Sequence, residues 1–166
     1  MKRRKLSVVL VVTAFLLLLW VGCDRTMFFD ESVSVQGRSW HRAVKYPFLV
    51  TVNDTTSAFD FYVNLRHTGD YPYSNLFLFL HSSFPDGRTS TDTLELVLAD
   101  SQGRWYGSGL GDLLWYRIPY KRGVKFPLPG VYQFELEQAM RVEALPAIVN
   151  VGFRVETSQP NPSVSE

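Results

Sequence analysis

The stretch FDFYVNLRHTGDYPYSNLFLFLH, residues 59–81, carries two different apolar patterns on either side of a turn. In its first half Phe59, Phe61, Val63 and Leu65 alternate with Asp60, Tyr62, Asn64 and Arg66. Successive side chains of an extended chain point to opposite sides, so this half is a strand with one apolar and one polar face. Gly69-Asp70 ends it. Pro72 fixes its own φ and pushes Tyr71 into an extended conformation, while the Asn75 side chain is placed to tie down the turn backbone. The Tyr71-Pro72 bond is also a place where a cis peptide is affordable, with trans the default. Leu76 to Leu80 then run apolar on both faces, as a central strand does. A strand, a tight turn and a second strand with no helix between them set the fold class.

The same period recurs on both sides. Tyr132, Phe134 and Leu136 alternate with Gln133, Glu135 and Glu137, and Val149, Val151, Phe153 and Val155 with Asn150, Gly152, Arg154 and Glu156. Phe48–Val52, Leu94–Leu98 and Leu114–Ile118 are apolar on both faces and join Leu76–Leu80 as candidate central strands. Val33 and Val35 mark a short first strand. Pro85-Asp86-Gly87 and Pro129-Gly130 supply reversals. About eight strands at this spacing predict an all-β fold, an antiparallel β-sandwich of the jelly-roll or immunoglobulin-like kind, with strand order left open. One short helical turn is expected near the C-terminus in EQAMRV, Glu137 to Val142, stopped by Pro146.

The ends of the 166-residue chain are of another character. Lys2, Arg3, Arg4 and Lys5 precede an apolar run from Leu6 to Val21, and Cys23 follows Val21-Gly22. A basic region, an apolar region too short for a comfortable membrane span, and a small residue before a cysteine describe a lipoprotein signal peptide. The domain reading is therefore a removed signal peptide over 1–22, a lipid anchor and tether over 23–32, a β-sandwich over 33–156, and a disordered Pro/Ser tail over 157–166. Cys23 is the lipid attachment residue. As the only cysteine, it leaves no thiol for a disulfide, for catalysis or for a thiolate metal site.

Charge excludes another class. The chain has 17 Lys and Arg against 16 Asp and Glu, and four of the basic residues belong to the signal peptide, so the remainder holds 13 against 16, a net charge of −3. No basic stripe is left for nucleic acid.

Chemistry-bearing patterns are sparse. His41, His67 and His81 accompany no serine in a nucleophile elbow and read as polar strand caps. Asp86 and Asp92 flank PDGRTSTD, where Arg88 falls at a position a calcium loop needs for a ligand, so the segment reads as a solvated turn. Gly107, Gly109 and Gly111 lie in RWYGSGLGDLLWY, residues 104–116, without the spacing or context of a dinucleotide fingerprint. They read as positions where backbone bends between packed Trp105 and Trp115. Tyrosine suits interfaces because one end is apolar and the other stays wet. Asp70, Tyr71, Tyr73 and Asn75, with Trp105 and the three glycines, are accordingly the candidate protein-docking edge. No cofactor, metal or catalytic residue is assigned.

LRHTGDYPYSNLFLFL, PDGRTSTDTLELVLADSQGRWYGSGLGD and FPLPGVYQFELEQAMRVEALPAIVNVGFRVE, in that order, resemble the gliding-motility-associated lipoprotein family GldH of the Bacteroidota. His67 stands where that family's pattern leads one to expect asparagine, and Tyr106 where an aliphatic is usual. The resemblance implies a non-catalytic, lipid-anchored envelope protein that supports gliding motility and the linked type 9 secretion machinery by assembling or stabilising other envelope proteins. Its partners would be proteins of that apparatus and the membrane, with no small-molecule substrate. The resemblance further implies an outer-membrane, periplasm-facing location, with the inner membrane as the alternative. Asp54-Thr55-Thr56 and Asp92-Thr93-Leu94 resemble the phylum's O-glycosylation signal, placing candidate acceptors at Thr55 and Thr93 in turns. The competing reading is a lipid-anchored glycan-binding sandwich, which requires a row of exposed Trp or Tyr on one sheet face.

Overall fold

The computed structural model describes residues 26–159. Ten strands follow one another: β1 Met27–Ser34, β2 Ser39–His41, β3 Lys45–Val52, β4 Phe59–Thr68, β5 Asn75–Ser83, β6 Thr89–Val97, β7 Leu113–Val124, β8 Gly130–Gln138, β9 Ala144–Pro146 and β10 Ile148–Thr157. Eight are long, as expected, and form two four-stranded antiparallel sheets ordered β1-β10-β4-β7 and β3-β8-β5-β6. The short β2 and β9 pair with each other. Every connection between consecutive long strands crosses from one sheet to the other except the β5–β6 hairpin. That alternation is a jelly roll, and it decides between the two sandwich types.

The alternating strands behave as read. Phe59, Phe61, Val63 and Leu65 of β4, Tyr132, Phe134 and Leu136 of β8, and Val151, Phe153 and Val155 of β10 all lie in the core. Phe61, Phe134 and Phe153 meet there in edge and offset contacts, with ring centres 4.7–5.7 Å apart. Such aromatic pairs favour these geometries because each ring has a negative face and a positive edge.

The strands apolar on both faces do not sit where that pattern placed them. Only β5 is an inner strand; β3, β6 and β7 are sheet edges. Leu49 on β3 and Val97 on β6 point outward and are exposed, while Phe48, Val50, Leu94 and Leu96 face inward. A sandwich covers each sheet on one side only, so the second apolar face meets solvent.

Two further expectations are corrected. No helical turn forms at residues 137–142. β8 continues through Gln138, whose buried amide accepts from the Met140 N–H (2.9 Å) and donates to the Val142 carbonyl (3.0 Å). That side chain closes the bend that a helix would have closed with backbone bonds. At the other end, β1 begins at Met27, inside the segment read as tether, because its backbone pairs with β10 from Met27↔Glu156 to Ser34↔Asn150. The Tyr71-Pro72 peptide is trans.

The registers define two poles. At the entry pole lie the start of β1, the end of β10 and the Phe59 and Val124 ends of β4 and β7, with loops 53–58, 84–88 and 125–129. At the loop pole lie segments 35–44, 69–74, 98–112 and 139–147. Among the described residues no helix is long and apolar enough to cross a membrane.

Candidate functional site

The loop pole gathers the aromatic turn and the glycine-rich segment. The turn is held from three directions: the Thr68 N–H donates to Ala147 O (2.9 Å), the Gly69 N–H to Asp112 O (3.0 Å), and Ser74 O accepts from Leu98 and Ala99 (2.8 and 3.1 Å). Its first tyrosine is not a surface group. Tyr71 is 3% exposed, its hydroxyl donates to Asn75 O (2.9 Å), and its ring lies 5.7 Å from His67, 5.7 Å from Tyr73 and 6.4 Å from Trp105. Burial, with Tyr73 alongside, pushes its phenol well above the ordinary range, so it stays neutral. As part of a docking edge Tyr71 is thus corrected: it plugs the end of the core.

His67 lies beneath this plug, with no exposed surface. Its Nδ1–H donates to Thr68 O (2.9 Å), Trp105 crosses its ring at 4.8 Å, and Nε2 is buried without a partner among the described residues. Desolvation lowers its pKa against the opposing effect of the Thr68 bond, so the ring is neutral. The polar-cap reading therefore fails for His67. His81 instead bridges strands at the surface, from Nε2 to Glu137 (2.7 Å) and from Nδ1 to Thr91 (2.9 Å), with Lys45 also on Glu137 (3.1 Å).

The glycine-rich segment has two parts. Asp100 accepts from the backbone of Gln102 and Arg104 (2.9 Å each) and from Arg104 Nε (2.8 Å), folding residues 100–104 into a small loop that returns Trp105 beside Ala99. Trp105 is half-buried and covers His67. Beyond it the chain makes a narrow hairpin in which Ser108 and Trp115 exchange both backbone bonds (2.9 and 3.0 Å). A Cβ on Gly109 would sit 1.8 Å from Leu113 O, and Gly111 has φ +66°, so both positions require glycine. Gly107 is looser, with Trp115 O 3.1 Å from its would-be Cβ.

At the tip of this hairpin Leu110 is 91% exposed; Tyr106 (53%) and Trp115 (40%) are exposed on the same segment, Tyr106 against Tyr116 (ring centres 6.2 Å apart) and Trp115 under the Arg117 guanidinium (5.3 Å). Leu110 was not singled out by sequence, and Tyr106 only as a departure from the family's pattern. The available signal was an isolated leucine between two glycines, outside any alternating pattern. Of the other candidates, Asp70 is exposed, Tyr73 is half-buried, and Asn75 is committed to a cross-strand bond with Glu95 (2.7 Å). The structure therefore brings together the inward cluster His67, Tyr71, Tyr73 and Trp105, and leaves Tyr106, Leu110 and Trp115 separately exposed along the hairpin lobe.

The glycosylation candidates separate. Thr55 lies in loop 53–58, where Asp54 accepts bonds from Thr56 and Ser57. Thr93 lies within β6, opposite Phe79, and not in a turn. Among the described residues no group of His, Cys, Asp and Glu could hold a metal ion. Cys23 lies outside the described residues. Among the described residues no row of exposed aromatics forms on one face: Phe28, Phe77, Tyr106 and Trp115 are spread over both sheets and a loop.

Residues 27–155 match the family model of the GldH lipoprotein. The gliding motility lipoprotein GldH of Flavobacterium johnsoniae is 39% identical over 161 residues, spanning 93% of this chain and 98% of that protein. The gliding motility lipoprotein GldH homolog of Christiangramia forsetii is 36% identical over 151 residues, spanning 87% and 92%. Among solved structures, that of infectious bursal disease virus Gx strain aligns over 83% of this chain and 31% of the other, at 12% identity and a TM-score of 0.31, a likeness too slight to carry an argument.

Proposed function

Because this chain belongs to the GldH lipoprotein family, we propose that it is a non-catalytic component of a gliding-motility apparatus, acting by assembling or stabilising other envelope proteins, including those of the linked type 9 secretion machinery. Cys23 carries the lipid after removal of residues 1–22, and the domain hangs from the periplasmic face of the outer membrane. The observation that carries the reading is likeness over nearly the whole length to relatives named for gliding motility. The geometry adds a means of docking. A leucine held almost wholly in water, on a hairpin that also exposes a tyrosine and a tryptophan, offers apolar surface to a partner, and tyrosine and tryptophan are enriched among the residues that anchor protein interfaces.

Affinity purification of the natively expressed protein in mild detergent, followed by mass spectrometry, tests it. Co-recovery of gliding or type 9 secretion proteins is expected, together with its loss from a folded Tyr106→Ser/Leu110→Ser variant. Undiminished recovery with that variant rules out the lobe as the docking surface. Recovery of no partner from well-solubilised protein rules out the assembly role.

A further inference from the structure

We propose that the entry pole is a membrane-facing surface, with Met27, Phe28, Arg122 and Lys125 against the bilayer and the loop pole directed away from it. The inference rests on lipidation of Cys23 as proposed above. From Cys23 to Met27 there are four Cα steps of about 3.8 Å, so the lipid-bearing residue stays within about 15 Å of the start of β1. β1 has no freedom to swing on that tether. It is paired along its length with β10, and the Thr157 N–H closes its start by donating to Thr26 O (2.8 Å). Strands of this length at about 3.3 Å per residue separate the poles by roughly 30 Å. A tether half as long holds the entry pole near the lipid surface and keeps the loop pole out of its reach.

The side chains at the entry pole suit that neighbour. Met27 and Phe28 are exposed at the start of β1, and Phe28 is braced against Phe59 (ring centres 4.8 Å apart). Across the same pole, Arg88 is paired with Asp86 and Lys121 with Asp92 (2.7 and 2.9 Å). Arg122 and Lys125 are exposed and, among the described residues, have no carboxylate partner. Two apolar side chains at the β1 edge of this pole and two cations at its β7 edge fit the boundary between headgroups and acyl chains, where long basic side chains reach the polar layer while apolar groups dip below it. The opposite pole offers an uncharged leucine tip to whatever protein meets it.

The distribution of tryptophan supplies the test. Downstream of Cys23 the tryptophans are Trp40, Trp105 and Trp115, all in the loop-pole half, and Trp20 leaves with the signal peptide. The lipidated protein, purified from cell membranes, is reconstituted into phosphatidylcholine–phosphatidylglycerol vesicles with brominated acyl chains, which quench indole emission only at close range. Intact mass and vesicle flotation are read first. Protein without acyl mass that fails to float overturns the lipid reading and this orientation together. For protein that floats, native emission is expected to be unchanged, and the emission added by Phe28→Trp is expected to be largely lost. Lys125→Trp, on an exposed loop, gives the same readout if the first variant does not fold. Floating wild-type protein whose own emission is strongly quenched, or floating variants whose added emission survives, would overturn the orientation while leaving lipidation intact.

Discussion

The tyrosine turn at residues 69–74 and the glycine hairpin at residues 106–115 are neighbours at one pole, joined by the Gly69–Asp112 backbone bond, and they use aromatic residues in opposite senses. In the turn, proline and a backbone clasp drive Tyr71 inward onto His67 and Trp105. In the hairpin, Gly109 and Gly111 permit a reversal so tight that Leu110 has nothing to pack against. Surface tyrosines and glycine-flanked leucines look alike as strings of residues. What separates them is whether the backbone returns the side chain to the core, and that is decided by partners far away in sequence.

Stability measurements should break the pair apart most sharply at Tyr71. Tyr71→Ala removes a fully packed ring and the hydroxyl bond to Asn75, and is expected to cost about 3–5 kcal/mol, the range for large aromatic truncations in cores. The urea midpoint of the lipid-free domain reads it. A loss below about 1 kcal/mol would mean that the turn is a surface feature after all. Next in size is Gly109→Ala. Its Cβ would collide with Leu113 O, so the hairpin must open, at an expected cost of about 1–3 kcal/mol. Because that strain is confined to the hairpin, amide exchange should quicken at Ser108 and Trp115 and stay slow at Leu76 and Leu78 of β5.

The plug also predicts a pH dependence that the hairpin lacks. His67 has its folded-state pKa lowered below the ordinary 6.5 by burial. A base shifted in this direction is bare in the folded state while the unfolded chain takes up a proton. Its contribution is therefore fully present above pH 6.5 and is lost as pH falls below that value toward the folded pKa, with a slope of at most about 1.4 kcal/mol per pH unit. His67→Asn keeps a donor for Thr68 O and removes the titration. The stability difference between wild type and variant should therefore shift in favour of the variant between pH 6.5 and 5. Asp92, Asp100 and Glu137, whose pKa values are lowered, lose their contributions at more acidic pH in both proteins. A difference that does not change with pH would place the His67 proton balance elsewhere.

Much of the sandwich was legible because period-two alternation is a local property: Phe59 to Leu65 and Val151 to Val155 announce their inward faces without knowledge of their neighbours. Strand order was not, since it rests on distant pairs: β1 with β10 joins residues more than a hundred positions apart, and β10 with β4 more than eighty. Position within a sheet was misread for β3, β6 and β7 because an apolar outer face costs little at an edge, where Leu49 and Val97 remain exposed. Arg154 shows the converse. It stands at a polar position of its strand but is 3% exposed, held by Asp30 and Glu156 at 2.6 Å each on the outer face of the first sheet. A charge is burial-competent only with partners in place, and those partners come from two strands. The family resemblance covered the same ground by another route and fixed membership without placing a single ring.

The smallest stability effect carries the most functional information. Leu110→Ser exchanges an almost fully hydrated side chain for another and touches no core group, so the urea midpoint should move by less than about 0.5 kcal/mol. Nothing in folding therefore accounts for a leucine there, where serine would be the more soluble choice on a glycine-framed tip. If the lobe is a docking surface, the same substitution should reduce recovery of partner proteins severalfold at unchanged stability and unchanged membrane attachment, while Leu49→Ser, equally outward but on the edge strand β3, should leave recovery as it was. Equal recoveries from the two variants would make Leu110 as incidental as Leu49 and shift the search for a partner surface to the strand edges.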